Sequence, residues 1–516
     1  MQQRTVNRGN TSTNYTLPAP IGGLNVRDSL DTMNESDAIV MDNYLPADTK
    51  VRLRRGYVGY AELGAPVHTL AEYKQASVRR FFACGGGAVW DISDKKKLRK
   101  VADNFINNDW QYCQFKNRLI WVNGFDLPQV FYIDNGIERW ENAAFSGDGL
   151  MPQKLANVAV CKQRLFFVEK GTLAYWYSDE VGNVQGLLKC FDLSTVFRHG
   201  GELLAIAPWT QDGGLGMDDL TVFITTEGEV AVYSGNSPDN ADDWSLRGVY
   251  RMSRPIGSRC VMQYQGDIVI ISEDGYVPLS KALSLDKANS SQFAFSDKIR
   301  GLVLDRTKTN GNKFGWQAII YGRGGYALFN VPIARQFEQH IVNVASGAWC
   351  RFIGIRAFCW GLFCNRLYFG SDQGVYLFDE GYSDNGTPIC GHVEQAFSNL
   401  GNPNLKRIQL INPRTKSSAK FALVVYTNMD FAAQNLDYAE NIGDFGGTKW
   451  DNSVWSTLAN PTGTKWATLK GKIRSRWIGN NATGFKAGVV FKTKTRGNLI
   501  EWYDTGFRYE QGNSIL

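Results

Sequence analysis

The chain has 516 residues, 43% hydrophobic and 21% charged, so it can fill more than one core and lies outside the disordered and collagen-like classes. A net charge of +6 is mild at this length and argues against the dense basic footprint of a sequence-independent DNA binder. Its 53 Gly, 22 Tyr, 29 Phe and 15 Trp favour pleated, half-buried surfaces joined by tight turns, which predicts an all-β protein.

The chain opens with a polar arm, Met1 to Tyr15, expected to be mobile or ordered by a partner. It holds no apolar signal core, and the longest nearly apolar run, Gly354 to Cys364, contains Arg356 and is too short to span a bilayer. The nine cysteines are odd in number and include no CxxC pair, which predicts reduced, mostly buried thiols in a soluble, unsecreted protein. Leu17 to Asn25 reads as an extended stretch ending in a Gly-Gly turn. A short helix is predicted next, capped by Asn34 or Ser36, favoured by Asp37 at its N-terminus and running through Ala38, Ile39, Met41 and Asp42 until Pro46. Val51 to Arg54 alternates like a strand.

From about Val67 to Asp379 one pattern recurs seven times: a β-branched or aromatic run, a Gly- or Asp-containing turn, and a second such run. The hairpins centre on residues 80–91, 117–134, 163–176, 220–233, 267–277, 316–329 and 365–379. Their spacing of roughly 40–55 residues is the period of a four-stranded propeller blade. Each hairpin is expected to supply the two central strands of a blade, apolar on both faces because both pack on neighbours. An Arg-Leu step echoes at Arg118, Arg164 and Arg366. The expectation is a β-propeller of about six or seven divergent blades over residues 61–385, preceded by an N-terminal segment, 1–60. Interruptions fall near 205–219, which is Gly/Asp-rich, and near 281–312. In the second, Ser296 is placed to cap a short helix with Ile299, Leu302 and Val303 on one face. After a turn-rich linker, residues 386–516 read as a separate β-sandwich-like domain, in which Gly447-Thr448-Lys449-Trp450 recurs as Gly463-Thr464-Lys465-Trp466.

No catalytic motif stands out. The four His, at 68, 199, 340 and 392, are isolated from Cys and acidic clusters, and there is no HExxH, zinc spacing, EF-hand loop, GxSxG elbow or phosphate loop. Gly85-Gly86-Gly87 lies inside a hairpin and reads as a turn. Asp218-Asp219 and Asp242-Asp243 are acidic pairs, but a glycosidase needs carboxylates about 5–10 Å apart, which sequence adjacency does not establish. The expectation is no enzyme, no cofactor and no metal. Lys95, Lys96, Lys97, Arg99 and Lys100 form a dense basic run, read either as a contact for phosphate or an acidic partner, or as a solvated outer strand that keeps an edge from pairing. Arg52, Arg54 and Arg55 carry the same two readings. Trp450 and Trp466 are read as core residues or as stacking surfaces for sugars.

Pro20-Ile21-Gly22-Gly23-Leu24-Asn25, then Asp37-Ala38, Asn43-Tyr44, Val51-Arg52 and Arg55-Gly56, resembles the opening of the tail nozzle proteins of short-tailed bacteriophages, also called tail tubular protein B or phage DNA stabilisation proteins. Gly386 to Ile389, Phe397, Leu405-Lys406-Arg407-Ile408, Asn428 to Phe431 and Ser296 to Ile299 are similar to later parts of the family. The chain departs from larger members in being compact. The resemblance implies a structural role in the virion tail: a homohexameric ring below the portal and its adaptor, made in the bacterial cytoplasm, that retains the packaged genome and conducts double-stranded DNA at ejection. Implied partners are the portal-adaptor protein and tail fibre, spike, needle or plug proteins. Pro20, Gly22, Gly23, Asn25, Asp37, Asn43, Arg55, Gly56, Lys406 and Arg407 are the assembly candidates it marks. The runner-up is a propeller lectin or polysaccharide depolymerase that recognises surface glycans; a third reading is a cytoplasmic scaffold propeller with peptide ligands.

Overall fold

The structure, a computed structural model, describes residues 12–212, 217–282, 295–334, 336–418, 421–438 and 472–512. It divides into two compact units. One comprises Gly59–Gln339 and Ile355–Phe378; the other comprises Met1–Val58, His340–Gly354 and Asp379–Leu516.

The first of these is the β-propeller. Six sheets of three to five strands are its blades. Blade 1 is Val67–Gln75, Val78–Gly85, Ala88–Asp91 and Arg99–Ala102, and blade 2 is Gln111–Phe115, Arg118–Val122, Gln129–Asp134 and Ile137–Asn142. Blade 3 is Leu155–Cys161, Arg164–Glu169, Ala174–Ser178 and Gly186–Asp192, with Phe145–Ser146 parallel to its outer strand. Blade 4 is Leu203–Asp212, Met217–Thr225, Glu229–Ser234 and Ser245–Arg251; blade 5 is Val261–Tyr264, Asp267–Ser272 and Gly275–Pro278. Blade 6 takes Cys359–Phe363, Arg366–Gly370 and Gly374–Phe378 from late in the chain and completes itself with Tyr57–Glu62 from before blade 1. That splice closes the ring with chain from both sides of the repeat and covers what would be a free sheet edge. The hairpin Gln317–Tyr321 to Tyr326–Ile333 lies between blades 5 and 6, its first strand against the inner strands of both.

The apolar runs follow from strand geometry. Successive side chains of a strand point to opposite faces. In Arg118–Val122, Leu119 and Trp121 pack with Phe82 and Tyr73 of blade 1, while Ile120 and Val122 pack with Leu165 and Phe167 of blade 3. In Arg164–Glu169 the alternation repeats: Leu165 and Phe167 face blade 2, Phe166 and Val168 face Phe223 and Tyr233 of blade 4. A strand with a blade on each side needs apolar residues at every position. Each ring so buried is worth about 1.5–3 kcal/mol relative to exposure.

All seven expected hairpins are present. In blades 1, 2, 3, 4 and 6 they supply the central strands; in blade 5 they are the second and third of three, and in 316–329 the first strand takes the inner position. Ala205 to Asp219 is no interruption of the sheet: its described part belongs to the hairpin Leu203–Asp212 to Met217–Thr225, with Ala205 paired to Ile224 and Asp212 to Met217. The second interruption does hold a helix, Arg300–Asn310, entered through a 3-10 turn at Asp297–Ile299. Ser296 does not cap it; its hydroxyl accepts the Tyr276 N–H instead.

The second unit packs two sheets face to face. One orders Lys472–Arg474, Lys406–Ser417, Ile500–Gln511, Lys50–Leu53 and Tyr44–Ala47, with Ser12–Pro18 and Ile478–Gly484 paired off this path. The other includes Trp349–Ile353, Gly23–Leu24, Asp37–Asp42, Ile389–Gln395, Ala487–Thr495 and Ala422–Met429. Between them Phe491 stacks on Trp502 at 4.6 Å, Tyr44 meets Phe491 edge-on at 5.8 Å, and the Tyr44 hydroxyl shares a 2.9 Å hydrogen bond with Thr493.

The helix expected at Asp37 to Asp42 is a strand, antiparallel to Ile389–Gln395 with Ala38 opposite Gln395 and Asp42 opposite His392. Sheet pairing with residues 350 to 357 positions away overrides a weak helix propensity there. Asn34 still makes a local side-chain turn, its Oδ1 accepting the Ser36 N–H at 2.9 Å, but the chain leaves that turn extended. The arm's last residues, Ser12 to Tyr15, begin a strand paired with Ile500–Gln511, while Met1 to Thr11 and both Gly-Thr-Lys-Trp segments lie outside the described residues.

Candidate functional site

The ten assembly candidates marked by the family resemblance lie in the second unit, where most serve as joints between its segments, while Ser296 to Ile299, which share the resemblance, lie in the propeller. Asn43 ends the strand Asp37–Asp42 with φ of +61°. Its Oδ1 accepts from Arg54 Nε at 2.8 Å and from the Ile353 N–H at 2.9 Å, and its Nδ2 donates to the Cys390 carbonyl at 2.7 Å. One side chain thus ties three distant stretches of chain. Arg54, 2% exposed at its side chain, makes a bidentate pair with Asp384 at 2.7 and 2.6 Å and donates to the Ile353 carbonyl. Gly56 is required next to this pair, because a Cβ there would meet the Ser383 carbonyl oxygen at 1.8 Å. Arg55 lies over the Tyr382 ring at 5.6 Å.

The Pro20 to Asn25 stretch folds as a turn, half-buried at Ile21 and Gly22 and buried on either side. The Pro20 carbonyl accepts the Gly23 N–H, and Gly22 and Gly23 press against the Asp37 carboxylate and the Trp349 backbone. Asn25, fully buried, donates to Asp37 and Asp28 at 2.8 and 2.9 Å and accepts the N–H groups of Arg27 and Asp28. Lys406 is also buried; its ammonium donates to the Phe485 carbonyl, and burial lowers its pKa while Asp430 acts to raise it. Arg407 is exposed and donates to Asn481 at 2.9 and 3.0 Å.

The basic run sits elsewhere, on the first blade of the propeller. Lys95, Lys96 and Lys97 occupy the exposed turn before Arg99–Ala102, the outermost strand of blade 1. Arg99 bridges Asp91 of its own blade and Glu138 of blade 2, and Arg80 reaches the same Glu138; Lys100 pairs with Asp103 at 2.6 Å. Gly86 and Gly87 form the two-residue turn between Val78–Gly85 and Ala88–Asp91, both with positive φ, so the glycine run is a hairpin turn. Of the acidic pairs, Asp219 accepts from Thr210, and Asp243 accepts the N–H groups of Asn236 and Ser237. Among the described residues no three His, Cys, Asp or Glu side chains are grouped to hold a metal ion, and no helix is long and apolar enough to cross a membrane.

A cavity of about 410 Å3 runs along the propeller axis, lined from the inner strands of the blades. It draws no residue from the sequence-marked set. Arg259, just before blade 5, spans its mouth: the guanidinium meets Asp109 at 2.7 Å, donates to the His68 and Trp110 carbonyls at 2.9 and 3.1 Å, and donates to Thr69 Oγ1 at 2.7 Å. Ser258 donates to Asp109 at 3.1 Å and accepts from Gln111 at 3.2 Å. His68 packs against Phe314 and Phe358, and burial lowers its pKa, with the Asp109 carboxylate opposing the shift. The charges at this mouth are paired with each other. Farther in, the walls are neutral: Gln111, Asn157, Gln263 and Gln317, the Tyr112 ring, and small side chains at Ala205, Ala207 and Ala318. Sequence reading missed these positions because inner-strand residues are short or uncharged and match no motif.

No protein-family model and no curated protein matches the chain. Solved structures do. The chain is similar to BBS1N, from a crystal structure in complex with ARL6DN soaked with lead (9% identity, 66% of this chain, 98% of that one, TM-score 0.38). It is similar also to the extracellular domain of the putative hybrid two component system BT4673 from B. thetaiotaomicron (10%, 65% and 41%, TM-score 0.41). A third is a putative 6-phosphogluconolactonase, BF1038, from Bacteroides fragilis NCTC 9343 (11%, 64% and 91%, TM-score 0.34). At these scores the likenesses carry no inference about activity or ligand.

Proposed function

We propose that the chain is a non-enzymatic structural subunit of a short-tailed phage tail, a nozzle component that assembles as a ring below the portal and adaptor, retains the packaged genome and conducts DNA at ejection. The observation that carries the reading is where the assembly candidates lie: Pro20, Gly23, Asn25, Asp37, Asn43, Gly56 and Lys406 are buried, and Gly22 half-buried, in one unit built from both ends of the chain. Such positions tolerate few substitutions for physical reasons, so a family pattern kept there is a pattern of the fold. A mild net charge also suits a conduit, since a strongly basic wall would hold sliding DNA. The ring is a heterologous hexamer whose interfaces close by rotation, contacting the adaptor on one side and fibre, spike or needle proteins on others. It is made in the host cytoplasm and resides in the virion.

Size-exclusion chromatography with light scattering tests this on purified protein mixed with portal–adaptor complexes. Co-elution at six copies per complex supports the proposal. A chain that stays monomeric and never joins the adaptor contradicts it, and release of sugar from surface polysaccharide would favour a depolymerase.

A further inference from the structure

We propose that the axial cavity of the propeller is a binding site for a neutral saccharide of one or two sugar units. The inference goes beyond the nozzle reading and does not depend on it. A volume of about 410 Å3 falls in the range of small-molecule sites, about 300–1,000 Å3. The charge at its mouth selects against ions: Arg259 is held by Asp109 and two carbonyls, so neither sign is left over for an anionic or cationic ligand.

What remains facing the cavity is neutral hydrogen-bonding capacity from separate strands. The side-chain amide of Asn157 makes no hydrogen bond among the described residues. Gln263 uses only a long 3.4 Å contact to the Pro208 carbonyl, which leaves its Oε1 and one N–H available. An amide presents a donor and an acceptor side by side, which matches adjacent hydroxyls of a sugar ring. Tyr112, 38% exposed with its hydroxyl tied to the Leu70 carbonyl, offers a ring fixed in place for the apolar face of a pyranose. Ala205, Ala207 and Ala318 keep the facing walls low.

The test is saturation-transfer NMR and calorimetry on the full chain with glucose, galactose, N-acetylglucosamine and their disaccharides, and with sugar phosphates as charged counterparts. The expected result is saturable millimolar or tighter binding of a neutral sugar. Asn157→Ala and Gln263→Ala should each weaken it about three- to tenfold, the worth of one hydrogen bond. Ala318→Phe should abolish it by filling the cavity, with an unchanged melting transition in all three; should Ala318→Phe fail to fold, the two amide variants decide. No binding of any neutral sugar, binding indifferent to these variants, or a preference for the sugar phosphates would overturn the proposal.

Discussion

Arg54 and Asp384 stand 330 positions apart and pair through two hydrogen bonds in a buried site, with Asn43 holding the guanidinium from its other edge. Removing one partner of such a pair strands a charge, at a cost of about 3–5 kcal/mol, whereas replacing both with apolar groups is often close to neutral. Arg54→Met and Asp384→Leu are each expected to lower the unfolding free energy in denaturant melts by that amount, and the double variant to recover much of it. Gly56→Ala should cost about 1–3 kcal/mol, because the added methyl overlaps a carbonyl oxygen that cannot swing aside. Near Arg54 the sequence offered only an alternation of arginines with two readings; its partner lies in a linker that gave no charge signal. The thiols behave as composition predicted in part: all nine are free, but Cys190 and Cys364 are exposed. Burial pushes the Cys113, Cys161, Cys260 and Cys359 thiols up to about 12. A thiol reagent on native protein should therefore label Cys364 and Cys190 first, and the buried set only on unfolding.

Among elements, blades are legible in sequence wherever a strand has a neighbour on each face. That is why Leu119 to Val122 and Leu165 to Val168 stand out as unbroken apolar runs. Inner and outer strands are not legible, since one side of each meets solvent or a cavity, and their residues are short, mixed and turn-like. Asp37 to Asp42 was misread for a related reason: Asn34 and Ser36 do make a local turn, and only the distant strand Ile389–Gln395 selects the extended continuation. Between blades 1 and 2 the ionic link is Glu138 with Arg80 and Arg99. Burial raises the Glu138 pKa, but hydrogen bonds and the charges of both arginines outweigh it and hold the carboxyl below its ordinary 4.5. With the folded value depressed, the stabilisation is present above the unfolded value and is lost as pH falls through the folded one. Glu501, held down by Lys50 and Tyr503 against the effect of burial, adds to the same trend. Stability should be flat with respect to these groups above about pH 5 and fall below pH 4.5, and Glu138→Gln should flatten that fall measurably in pH-dependent denaturant melts.

For the whole molecule, the propeller was readable from the recurrence of hairpins, and its closure by Tyr57–Glu62 was not, because a single strand before the first repeat carries no mark of its partner. The same holds for the unit that joins both chain ends: Val51 opposite Trp502 and Ser12 opposite Glu510 are pairings no local pattern encodes. The site suffers the same limit. Most residues singled out by resemblance turn out to be joints, while Arg259, Asn157, Gln263 and Tyr112 line one cavity only because the ring brings the inner strands to one axis. In the propeller the radial repetition leaves only the short outer strand of each blade as an edge. The central claim, a nozzle subunit, is tested most directly by negative-stain electron microscopy of the purified protein, alone and mixed with portal–adaptor complexes. A nozzle subunit is expected to give six-fold rings, or a six-fold extension docked beneath the adaptor; particles that remain single propellers and leave the adaptor bare would contradict that role.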